Sequence, residues 1–182
     1  MAPILLDRPF ALRSAVNDRH VIQADQGGGM SLQRWDPSFR TPGQQFVLRM
    51  QNNTTNGFNV IHTGVAFINL FNSNGILFNS VTSQGLKQQL VMQRYDTYSV
   101  DKDAWIIAEA KVNNVTGIRI TSPQNSSWSW NAWGGTGEIN EPIYLNDDTN
   151  NNSIWIVTFA PLLQTESEQS NATEAPEPAT AG

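Results

Sequence analysis

"SLQRWDPSFRTPGQQFVLRM" runs from Ser31 to Met50, and "VMQRYDTYSVDKDAWIIAEA" runs from Val91 to Ala110. Set one above the other, Gln33 falls on Gln93, Arg34 on Arg94, Trp35 on Tyr95 and Asp36 on Asp96, and Phe46 lies one position off Trp105. A fainter third copy is "PIYLNDDTNNNSIWIVTFAP", Pro142 to Pro161, in which Trp155 takes the place of Phe46 and Trp105. The aromatic recurs at spacings of 59 and 50 residues. A period of that size marks units that cannot bury their apolar faces alone.

The flanking sequence says what the units are made of. Upstream of each copy, "RSAVNDRHVIQA", "NLFNSNGILFNS" and "TSPQNSSWSWNA" each read as strand, polar turn, strand. Apolar runs are short and bounded by Gly, Pro, Asn, Asp or Ser, and no long stripe at helical spacing is present. The chain is expected to be all-β. Twelve strands in three pseudo-repeats of four, about 9–56, 57–113 and 114–163, match a β-trefoil, a closed six-stranded barrel capped by three hairpins. Closure leaves no free sheet edge. A single domain over 1–163 is expected, followed by a disordered acidic tail over 164–182.

Composition narrows the functions. The formal net charge is -5, but Glu166, Glu168, Glu174 and Glu177 lie in the tail, leaving 12 acids against 11 bases in the body. A near-neutral body offers no field to attract nucleic acid or an anionic membrane. The absence of Cys excludes disulfides, thiolate metal sites and a Cys nucleophile. His20 and His62 have no ligand-spaced partner, so no metal or other cofactor is expected. "MAPILLDRPF" lacks a secretory apolar run, and no stretch has membrane length, so a cytoplasmic location without direct membrane insertion is expected, release by a non-classical route remaining open.

Within the repeat, Gln33 and Trp35 share one strand face while Leu32 and Arg34 share the other. At this point the residues resemble the ricin-B-type (R-type) β-trefoil lectins. That family carries elements of the form "VLDV", "VQLW" and "NQQW" in each repeat; here the first repeat reads "VIQA" at Val21 to Ala24, "LQRW" at Leu32 to Trp35 and "GQQF" at Gly43 to Phe46. The resemblance implies that Phe46, Trp105 and Trp155 are core residues. It also implies a non-enzymatic carbohydrate-binding protein for galactose or N-acetylgalactosamine glycans, with glycans or glycoproteins as partners and a homodimer open. Each sugar site would combine an Asp after the second strand, an aromatic ending the third and an amide before the core aromatic.

Carried over by position, the first repeat offers Trp35 as platform with Gln33, Gln44 and Asp25 as polar partners, although Gln23 holds the family's Asp position. The second offers Tyr95 with Asn79 and Asp103, and Lys102 stands where the family has Asn. In the third, Asn146 and Asp147 align with Trp35 and Tyr95, so the platform is lost and a structural role is expected, with Trp133 of "NAWGGTGE" near by. Packing between hairpins is the competing account of Trp35 and Tyr95, and a buried amide tying the hairpin to backbone is that of Gln44. Trp128 and Trp130 share a face and read as core. The alternative function is a β-trefoil protease inhibitor or protein-interaction module acting through loops such as "QGGGM" and "TSQGLKQQ". A filament-bundling trefoil fits a near-neutral body less well.

Overall fold

The computed structural model describes residues 8–25, 27–51, 64–70, 79–94, 104–112, 114–147 and 150–162. Among them every regular element is a strand or a single 3-10 turn. The strands are β1 (Phe10–Ser14), β2 (His20–Ala24), β3 (Met30–Arg34), β4 (Phe46–Gln51), β5 (Gly64–Asn69), β6 (Asn79–Thr82), β7 (Val91–Arg94), β8 (Ile106–Val112), β9 (Val115–Thr121), β10 (Ser129–Ala132), β11 (Ile143–Asn146) and β12 (Trp155–Phe159). Turns at Pro42–Gln44 and Asn151–Ser153 lead into β4 and β12.

Six strands pair in succession and return to the first. β1 meets β4 at Phe10 and Phe46, β4 pairs with β5, and β5 meets the start of β8 through two backbone bonds between Val65 and Trp105, of 2.9 and 3.0 Å. β8 pairs with β9, β9 meets β12 at Ile118 and Trp155, and β12 runs antiparallel to β1 from Phe159 opposite Phe10 to Trp155 opposite Ser14. The other six strands form the hairpins β2–β3, β6–β7 and β10–β11. Each hairpin touches the other two, through bridges between Gly29 and Val91, Ser31 and Pro142, and Gln89 and Tyr144. The stretches β1–β4, β5–β8 and β9–β12 thus each place their outer strands in the ring and their inner two in a hairpin.

One apolar cluster fills the space between ring and hairpins. Phe46, Trp105 and Trp155 are all but fully buried in it, as the resemblance implied. The Trp105 indole N–H donates to the Val81 carbonyl at 2.9 Å, and that of Trp155 to the Trp130 carbonyl at 3.2 Å. Phe46 has no such donor, so the first stretch is held by packing alone at this position. Trp130 is buried edge-on to Trp105, and Trp128 packs half-buried against the same cluster.

Where β9 crosses β12, no side chain fits. A Cβ on Gly117 would lie 2.6 Å from the Trp155 carbonyl oxygen and 2.8 Å from Ile154 Cγ2. Gly117→Ala is therefore expected to push β9 off β12 and to cost about 1–3 kcal/mol. Urea unfolding tests this, and an unchanged midpoint would show that the strands part without penalty.

Candidate functional site

In the first stretch the residues singled out by sequence go to different places. Asp25 is exposed and closes the β2–β3 turn, accepting from the Gly29 N–H at 2.8 Å. Gln33 turns toward the β10–β11 connection, donating to Asn140 Oδ1 at 2.9 Å and Ser31 Oγ at 3.1 Å. Trp35 is half-buried with the Phe39 ring edge-on at 5.0 Å. Gln44 is buried: its carbonyl accepts from the Asp36 N–H at 3.0 Å, and its amide donates to Gln23 Oε1 at 2.9 Å and the Arg34 carbonyl at 2.8 Å. A buried amide with every arm engaged organises the loop that follows β3.

The hub of that loop is Asp36. Its carboxylate accepts from the Ser38 hydroxyl and N–H, the Arg40 N–H and the Thr41 hydroxyl. The Ser38 hydroxyl does most to hold its pKa at about 2, below the ordinary 3.8; partial burial opposes this, and Thr41 and the two backbone donors assist. A depressed carboxylate stabilises above its unfolded pKa and loses that contribution as pH falls through the folded one. The Phe39–Trp35 contact is expected to persist down to pH 3.8 and loosen toward pH 2, seen as a change in tryptophan fluorescence. Asp36→Asn should lack that step; identical curves for the two proteins would remove Asp36 from this role.

In the second stretch, Asn79 lies in β6 opposite Arg94. Tyr95 and Asp103 lie outside the described residues, as does Lys102.

The third stretch holds an open cleft of about 720 Å³. Trp133, Gly134 and Gly135 of the β10–β11 connection form one side and Asn150, Asn151 and Asn152 another, with Asn131 and Asn146 between them. Val16, from the β1–β2 connection, and Val112, at the end of β8, complete it. Trp133 is 44% exposed, and its ring packs against the Tyr144 ring with centroids 4.9 Å apart and planes tilted by 37°. Gly134 and Gly135 have positive φ of 108° and 70°, a backbone that L side chains rarely adopt, so the chain turns away just after Trp133 and leaves the indole standing. The Glu141 carboxylate clasps this loop through the Thr136 N–H and hydroxyl and the Gly137 N–H, and His20 Nδ1 donates to the Gly137 carbonyl at 2.5 Å. Asn152 Nδ2 donates to Asn131 Oδ1 at 2.9 Å and to the Ala132 carbonyl at 3.2 Å.

The ladder registers explain why sequence comparison passed over this cleft. Leu32 faces Ile22, Met92 faces Val81 and Leu145 faces Trp130, so Asn146 corresponds to Gln33 and Gln93, not to Trp35. By the same count Asn131 corresponds to Gln23 and Thr82, and Trp133 to Asp25 and Gln84. The exposed aromatic is carried by the opposite arm of the hairpin from Trp35. A smaller cleft of about 150 Å³, lined by Gln84, Gly85, Gln124 and Trp128, lies between the second and third stretches.

No family model and no curated protein matches the sequence. Solved structures do. The C-terminal half of an earthworm R-type lectin, in complex with GalNAc, superposes with a TM-score of 0.59 at 14% identity, over 84% of this chain and 98% of that one. The designed threefold-symmetric protein ThreeFoil gives 0.55 at 8% identity, over 82% and 96%. A mosquitocidal holotoxin gives 0.59 at 18% identity over 86% of this chain, which spans only 16% of the holotoxin. At these identities the likeness is one of fold, and the fold is the trefoil-like one of R-type lectin and toxin domains.

Proposed function

We propose that this chain is a single-domain β-trefoil of three pseudo-repeats that binds carbohydrate without catalysis, and that its principal site is the cleft beside Trp133. The ring-and-hairpin pattern, recurring in each of the three stretches, supports the trefoil. The observation that carries the function is an exposed indole, packed against Tyr144, beside an open cleft lined by side-chain amides. A sugar ring has an apolar C–H face that covers an aromatic, and hydroxyls that pair with amides in both directions. The GalNAc complex of the earthworm lectin half supports galactose-type ligands as the first to test. Trp35 is the secondary position, because Phe39 occupies part of its surroundings.

The test is a glycan array probed with the folded protein, beside Trp133→Ala. Binding that disappears in the variant supports the reading. A folded protein that binds no glycan, but captures a protein partner through the hairpin loops, would replace it with the interaction-module alternative.

A further inference from the structure

Among the described residues no ionisable side chain lines the cleft: amides, valines, two glycines and Trp133 do. An anionic group entering it would give up water and meet no cation in exchange. The amide oxygens add to this. Asn152 is nine-tenths buried with its N–H groups committed to Asn131 and Ala132, and the Oδ1 atoms of Asn151 and Asn152 lie in the wall with no donor paired to them. These oxygens are covered, so their partial negative charge acts from beneath the surface, where it opposes an anion. Among the described residues at its edges, exposed Lys111 stands next to Val112 and exposed Asp147 next to Asn146, one charge of each sign. The Glu141 carboxylate, next to Gly134, is occupied by Thr136 and Gly137, and His20 by Gly137. The cleft is also roomy: its volume of about 720 Å³ lies within the range of sites that enclose drug-sized ligands, and residues from all three stretches of the chain build it.

We propose that this cleft selects a neutral oligosaccharide of more than one ring, laid from the Trp133 face toward the Val16 and Val112 wall, and disfavours sulfated or sialylated forms of the same chain. This rests on the carbohydrate reading above and deepens it. The experiment is a titration of the full chain with a matched series: a monosaccharide, the neutral trisaccharide containing it, and that trisaccharide bearing a sulfate or a sialic acid. The galactose series is used first.

The neutral trisaccharide is expected to bind at least about tenfold tighter than either the monosaccharide or the charged form, one hydrogen bond or its loss being worth that much. Added salt should leave its affinity unchanged, because no ion pair forms. Asn151→Lys is expected to raise affinity for the charged form and not for the neutral one. Equal or tighter binding of the charged form, or a monosaccharide bound as well as the trisaccharide, overturns the proposal; if Trp133→Ala still abolishes that binding, the carbohydrate reading survives. No glycan binding by protein with an unaltered melting curve overturns both.

Discussion

Trp155→Ala is expected to remove about 3–5 kcal/mol of stability, the range for deleting a fully buried aromatic. A domain of this size has roughly 5–15 kcal/mol in total, so much of the population would be unfolded under mild conditions. Trp155 shows no exposed surface, pairs with Ile118 across the β9–β12 contact and donates its indole N–H to Trp130. The substitution therefore opens a cavity, loses a hydrogen bond and loosens a ring contact together. Trp155→Phe separates these effects, keeping most of the volume and losing about 1 kcal/mol for the bond. Guanidinium midpoints for the two variants give the comparison. A Trp155→Ala protein as stable as its parent would mean that ring closure does not depend on this core.

The second large effect falls on binding. Trp133→Ala is expected to weaken the glycan complex by about 2 kcal/mol or more, some thirtyfold, as truncating an aromatic anchor does. Its melting temperature should barely move, because Trp133 is 44% exposed and stands on an exposed loop. That separation makes the variant informative. Trp35→Ala, run beside it, is expected to cost less binding; the reverse order would transfer the principal site to the first stretch.

The core was legible in the sequence because Phe46, Trp105 and Trp155 follow similar local patterns, each at or immediately before the start of a strand that enters the ring. Three widely spaced aromatics in one type of strand are hard to place anywhere but at a shared centre. The loop role of Gln44 was legible only as an alternative, since a buried amide and a ligand-facing amide look the same until their partners are known. The cleft was not legible. Its apolar wall joins Val16 to Val112, and neither position has a local signature. Trp133 also departs from the repeat, standing where the first stretch has Asp25, so matching repeats led to Asn146 and Asp147 in its place. The signals available were the two glycines after Trp133 and the run Asn150 to Asn152, a polar wall already apparent in composition.

The pairing of β1 with β12 joins residues nearly one hundred and fifty positions apart, and the Ala160 N–H reaches the Pro9 carbonyl at 2.9 Å. A ring closed by its most distant strands has a high contact order, which places its folding in the slower range of small domains. During synthesis β1 emerges well before β12 and must wait for it before the edge they share is covered. Until then the nascent chain carries Phe10 and Leu12 on a strand with one edge open, the kind of edge that recruits other chains. The emergence of β12 from the ribosome is thus the step that covers this edge.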